Sequence, residues 1–155
     1  MRSVCFTVPG RIGGKGRPRF DSRSHVTYTP HKTHVEEGVV KHFAHEAMTK
    51  AKLPLLQGPL HLSVAIRLTY PKSWTAKKCA ATVYVTGKPD PDNQIKLLCD
   101  SLNGIVWIDD AQVAQVVYDR RYIGTGTEES VEVTVRQLSN METMVVVRRH
   151  LFGAV

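Results

Sequence analysis

The sequence has no Cys-x-x-Cys pair, and its three cysteines, Cys5, Cys79 and Cys99, are odd in number and far apart. A disulfide framework is therefore not expected, and this cysteine usage fits a reducing cytoplasm. No stretch approaches the ~20 apolar residues that span a bilayer, so no membrane partner is expected. The first residues, MRSVCFTVPG, carry too short an apolar run for a secretory signal. There is no P-loop and no Gly-x-Gly-x-x-Gly turn. GRIGGKGR lacks the Walker spacing and its Ser/Thr, so no nucleotide cofactor is expected. Acidic residues are scarce, with 14 Asp/Glu against 21 Lys/Arg, which leaves a net charge of +7. A basic protein of this size often meets a polyanion.

What is present suits one soluble globular domain. The chain has 155 residues, 42% apolar and 23% charged, enough to bury a core of its own. The charge is unevenly spread. Residues 1–50 hold nine Lys/Arg and four Asp/Glu, and residues 71–88 hold four lysines and no acid. Residues 89–110 reverse this, with five aspartates and one lysine. A basic surface attracts a phosphate backbone, and a compact acidic cluster can hold metal where the backbone is cut. A solvated acidic loop on a basic protein would give the same pattern.

Periodicity gives an α+β fold. Residues 2–8 read as a first strand, ended by Pro9 and Gly10, and a Gly- and Arg-rich loop follows over 10–24. A helix is predicted over 31–51, with Val35, Val39, Phe43 and Ala47 as its buried stripe. Its start is either Thr29 with Pro30 at the first position or a Thr33/Glu36 capping box. Residues 60–70 alternate as a half-buried strand. Residues 71–87 look irregular, with a short strand at 83–85. A second helix is predicted over 91–103, capped by Asp90 with Pro91 at its first position. Its apolar face is Ile95, Leu98, Cys99 and Leu102. Two strands, 112–123 and 129–137, are joined by the hairpin sequence Gly124-Thr125-Gly126-Thr127. The expected architecture is a single α+β domain over 1–137, a mixed, mostly antiparallel sheet with two main helices. Residues 138–155 form a C-terminal extension.

The informative segment is KPDPDNQIKLLCDSLNGIVWIDDAQV, residues 88–113. Asp90 and Asp92 flank the start of the second helix, and Lys96 follows one turn later. Asp109 and Asp110 precede a strand. If that strand packs beside the helix N-terminus, Asp110 meets Asp90 and Asp92. Converging carboxylates raise each other's pKa, and a hard divalent cation relieves the repulsion. Singly, each feature has a plainer reading: Asp90 as a cap, Asp109-Asp110 as a turn, Lys96 as a solvated side chain. An EF-hand is disfavoured, since counting from Asp90 the sixth residue is Ile95 and the twelfth Ser101.

These residues resemble the signature of the RusA family of Holliday junction resolvases. KPDPDNQIKLLCDSLNG followed by VWIDDAQV is similar to the family's Asp-x-Asp-Asn, Lys on the next turn, and aromatic followed by Asp-Asp-x-Gln-Val. KGRPRF (15–20) and YTPHKT (28–33) resemble the segment many relatives carry before their first helix. The resemblance implies a RusA-like fold, with Asp90, Asp92, Asp110 and Lys96 as catalytic residues and Asp109 as a further metal neighbour. It implies Mg²⁺ or Mn²⁺ dependence, a homodimer, and paired cleavage of a four-way DNA junction in recombination and repair. Gln94 and Pro91 depart from the aliphatic residues common at those positions. A flap or fork nuclease, and a non-catalytic DNA-binding module, remain as alternatives.

Phosphate contacts are expected from Lys15, Arg17, Arg19, Lys32 and Lys88. His31 and His34 stand eight or more residues from His42 and His45, too far at ~1.5 Å per residue to share one zinc ion. Trp107 is expected in the core, and Trp74, among lysines, is the better candidate for stacking on a base.

Overall fold

The computed structural model describes residues 1–17, 19–23, 25–124 and 126–139. Strict alternation places β4 (Leu60–Thr69) at the centre of the sheet, with Leu60, Leu62, Val64 and Ile66 buried on one face. β6 (Ser130–Gln137) pairs with it antiparallel on one side, and β5 (Val113–Ile123) pairs with it parallel on the other. β1 (Ser3–Pro9) completes the order β1-β6-β4-β5 by pairing antiparallel with β6. The sheet is thus mixed and mostly antiparallel, as expected from the sequence. Two helices, α1 (His31–Lys50) and α3 (Pro91–Leu102), join the buried faces of β1, β4 and β6 in one core. Burying each of these aliphatic side chains contributes about 1.5–3 kcal/mol. β2 (Arg19–Asp21) and β3 (Val26–Tyr28) form a separate two-stranded hairpin within the basic loop. Among the described residues no helix is long and apolar enough to cross a membrane.

Several local expectations need correction. The buried face of α1 is Thr33, Glu37, Val40, Ala44 and Met48, not the stripe beginning at Val35. Val35 and Val39 stay exposed, and Phe43 and Ala47 pack at the margin. The helix is turned because two polar residues have partners from the glycine loop. The Thr33 hydroxyl accepts from Gly16 N at 3.2 Å, and Glu37 accepts from Lys15 Nζ at 2.5 Å. Neither predicted start is used, since Pro30 holds the cap position with no side-chain hydrogen bond. The face of α3 is closer to expectation: Leu98, Cys99 and Leu102 are buried, joined by Leu97, Gln94 and Ser101.

The hairpin expected between β5 and β6 is not formed, because β4 lies between them. The connection crosses the end of β4 and is fastened there. Glu129 Oε1 accepts from Thr69 N at 2.8 Å and from Thr69 Oγ1 at 2.6 Å. Its backbone carbonyl accepts from Gly10 N at 2.7 Å, and Arg11 closes an ion pair on its carboxylate. Within the stretch expected to be irregular, α2 (Ala76–Ala81) forms behind Thr75, whose side chain accepts from Lys78 N. The expected strand at 83–85 is reduced to a bridge between Tyr84 and Arg121. Trp107 is fully buried, with its Nε1 donating to Asn103 Oδ1 at 2.6 Å. Residues 140–155, most of the expected extension, lie outside the described residues.

Candidate nuclease site

The glycine loop lies against the start of α3. Lys15 N donates to Asn93 O at 2.9 Å, and Gln94 Nε2 donates to Ile12 O at 2.9 Å. The approach requires glycine. A Cβ at Gly14 would stand 2.9 Å from Asn93 Cβ, and one at Gly16 would stand 2.7 Å from Thr33 Oγ1. These two glycines therefore serve packing against α3 and α1. The seam opens into a cleft of about 600 Å³ lined by Gly14, Lys15, Arg17, Lys88, Pro89, Asp90 and Asn93. One acid of the Asp-x-Asp motif thus lines a cleft with cations around it.

The aspartates fall into distinct roles. Asp90 occupies the cap position of α3, but its side chain makes no capping hydrogen bond. Asp92, in the first turn, and Lys96, in the next, are both exposed. Asp109 does act in a turn: its carboxylate accepts from Ala111 N at 2.8 Å in a capping box with Gln112. Gln112 Nε2 reaches on to Leu56 O and Gly58 O, both at 3.2 Å, and ties this turn to the loop before β4. Asp110, at the first position of the 3₁₀ turn Asp110–Gln112, is exposed. Among the described residues, none of Asp90, Asp92, Asp109 and Asp110 takes part in an ion pair.

β5 reaches the start of α3 through Tyr118 and Arg120, and the Asp110–Gln112 turn that precedes it also contacts α3. The Tyr118 hydroxyl donates to Gln94 Oε1 at 2.6 Å. Asp110 precedes that strand by several residues and lies towards Cys99. Burial pushes the Cys99 thiol up to about 11, and the charges of Asp110 and Asp100 add to the shift. Among the described residues no three His, Cys, Asp or Glu side chains are gathered closely enough to hold a metal ion. The structure brings Asp90 and Asp92 to one helix start, and the turn that carries Asp110 contacts the same helix. A hard divalent cation nevertheless fits the donors at the cleft. Mg²⁺ is usually held by one or two carboxylates, with water and substrate phosphate completing its shell, and among the described residues neither Asp90 nor Asp92 takes part in an ion pair.

The family model described as Endodeoxyribonuclease RusA matches residues 9–136, from the end of β1 into β6. The chain belongs to the RusA endodeoxyribonuclease family. It is also 29% identical over 147 residues to a Bacillus subtilis (strain 168) protein, "Uncharacterized protein YqaN", covering 90% of this chain and 99% of that one. RusA family membership makes DNA the polymer to consider at the cleft and phosphodiester hydrolysis the chemistry.

The residues expected to contact phosphate differ in availability. Arg17 and Lys88 line the cleft, are exposed, and have no ion pair among the described residues. Lys15 also lines it, but its ammonium is held by Glu37 Oε1 at 2.5 Å and Asp100 Oδ2 at 2.7 Å. Burial opposes the Lys15 charge, and its hydrogen bonds to Asp100 and Glu37 outweigh that and raise the pKa. Lys32 is largely free of contact, 3.8 Å from Glu36 with a side chain 81% exposed. Arg19 lies in β2, and its side chain is outside the described set. Trp74 packs with Tyr70 and Tyr122, under the Lys78 ammonium at 4.1 Å.

Sequence reasoning missed Arg120, Gln94 and Glu37. Gln94 adjoins the apolar face of α3, a signal that could have found it, whereas Glu37 and Arg120 are buried by partners 22 and 35 residues away in sequence. Buried polar groups persist where they are hydrogen-bonded, and none of these three is left without a partner.

Proposed function

We propose that the protein is a divalent-metal-dependent endonuclease that resolves four-way DNA junctions, acting as a homodimer in recombination and repair. The observation that carries the reading is Asp90: it stands at a helix cap without capping, beside Asp92, at the mouth of a cleft rimmed by Arg17 and Lys88. Asp90 and Asp92 would hold Mg²⁺ or Mn²⁺, with Asp110 and then Asp109 as further carboxylates. Such an ion, when bound, lowers the pKa of water and neutralises charge on phosphate. Lys96, one turn from Asp92, offsets the negative charge that develops on phosphate oxygen. Arg17 and Lys88 grip the DNA backbone on either side of the acids. A two-fold dimer presents two such clefts to a junction of matching symmetry, which accounts for paired nicks.

The test is cleavage of a labelled synthetic four-way junction with Mg²⁺ and with EDTA, by the wild-type protein and by Asp92→Asn. Paired nicks that need metal and vanish in the variant, with junction binding retained, support the reading. Equal cutting of flaps and forks would leave a less selective nuclease. Binding without cleavage under any metal would leave a DNA-binding module.

A further inference from the structure

We infer that Arg120 is the positioning residue of this site, fixing the strap 85–89 that delivers Lys88 and Asp90 to the cleft. This rests on the nuclease reading above and names a residue through which it works. Arg120 is 6% exposed, and among the described residues no carboxylate pairs with it. A buried cation without an anion is costly unless its donors are satisfied. Here they are satisfied by alternate carbonyls of one short segment. Nη2 donates to Gly87 O at 2.5 Å and to Val85 O at 3.1 Å, and Nη1 donates to Pro89 O at 2.7 Å. Nε adds a longer bond to Val85 O at 3.3 Å. The strap is wound around one guanidinium.

Little else anchors it. Sheet-like pairing with β5 stops at Val85, whose N donates to Arg120 O at 3.1 Å. Thr86, Gly87 and Lys88 are exposed. One peptide bond separates the last clamped carbonyl, Pro89 O, from Asp90. The other end of the clamp is Gln94, 2% exposed. Its Oε1 accepts from Arg120 Nη1 at 3.1 Å and from the Tyr118 hydroxyl at 2.6 Å. Its backbone N closes the first turn of α3 on Asp90 O at 3.2 Å. Arg120 therefore holds the peptide before Asp90 while Gln94 holds the helix turn after it. With its donors turned to protein carbonyls, the guanidinium cannot touch DNA, so any effect on cleavage passes through the strap.

Arg120→Lys keeps the buried charge but gathers its three donors on one nitrogen, in place of the five that the guanidinium spreads over the carbonyls of Val85, Gly87 and Pro89. Tyr118→Phe removes one hydroxyl from the clamp, and decides the question should Arg120→Lys not fold. Cleavage kinetics, junction binding in EDTA and amide hydrogen exchange are read on each. The expected result is a fall in kcat of about 100-fold for Arg120→Lys and about 5-fold for Tyr118→Phe, with KM and affinity within about 2-fold. Exchange should quicken over 85–93 and stay unchanged in β4 and β6. Unchanged kcat in folded variants overturns the inference. So does a loss of activity that tracks a general rise in exchange across the sheet, the mark of a structural role alone. A wild-type protein that binds junctions and never cuts them would instead sink the nuclease reading itself.

Discussion

Two sets of carboxylates share this basic molecule. Glu37, Asp100, Asp119 and Glu129 each meet a lysine or arginine within 2.9 Å, and their charge goes into holding loops and strands together. Among the described residues Asp90, Asp92, Asp109 and Asp110, within one short stretch, form no ion pair. Cations outnumber acids in the chain, 21 to 14, so the second set is not unpaired for want of bases. On the reading proposed above, the charge of Asp90, Asp92 and Asp110 serves a metal ion, while Asp109 also caps its turn. The first set should therefore report on stability and the second on chemistry.

The sharpest way to break that division is to neutralise one member of each set. Asp92→Asn should cost about 1,000-fold in junction cleavage. Its thermal midpoint should stay within about 2 °C of wild type. A midpoint that dropped with the activity would place Asp92 in the first set. Lys15→Met should do the opposite. It strands Glu37, 8% exposed, beside Asp100, and should cost about 3 kcal/mol in denaturant unfolding. A loss below about 1 kcal/mol would mean that water already shares that pair.

Glu129→Gln is expected to be milder, about 1–2 kcal/mol at neutral pH, because Arg11 is 59% exposed and solvent screens the pair. Its pH dependence is specific. The hydrogen bond from Arg11, opposed by burial and supported by Thr69, lowers the Glu129 carboxyl from 4.5 to about 2. A lowered folded-state pKa gives stability that is present above the unfolded value and lost as pH falls through the folded one. The difference in melting temperature between wild type and Glu129→Gln should hold above about pH 5 and close towards pH 2. A constant difference at all pH would show that the carboxylate charge contributes nothing. Smallest of all, Lys32→Gln should leave stability within about 0.5 kcal/mol. It should lower the salt dependence of DNA binding by about one counterion if Lys32 meets phosphate.

The same division explains what was legible in the chain. β4 and α3 could be read because their inward residues are apolar at the period of the element. The Asp-x-Asp and Asp-Asp motifs could be read because unpaired acids sit close together in sequence. α1 was misread because Thr33 and Glu37 are buried by partners 17 and 22 residues earlier, and hydropathy is blind to a partner at that distance. Arg120 was missed for the same reason, since its carbonyl partners begin 35 residues upstream. The turn chemistry of Gly124 to Thr127 is sound for a hairpin, but β4 takes the place beside β5 that β6 would have filled. Local signals specified each strand, and the competition between strands for neighbours decided their order.

That order has a consequence for synthesis. β1 is made before β6, yet among the described residues its neighbour in the sheet is β6, beginning at Ser130. At about 5–20 residues per second on the ribosome, the open edge of β1 waits several seconds for that partner, while α1, which packs on Val4, Phe6 and Val8, is made much sooner. The sheet cannot close from its N-terminal edge inward. The strand made before all others of the sheet joins it only when its partner β6 has been made.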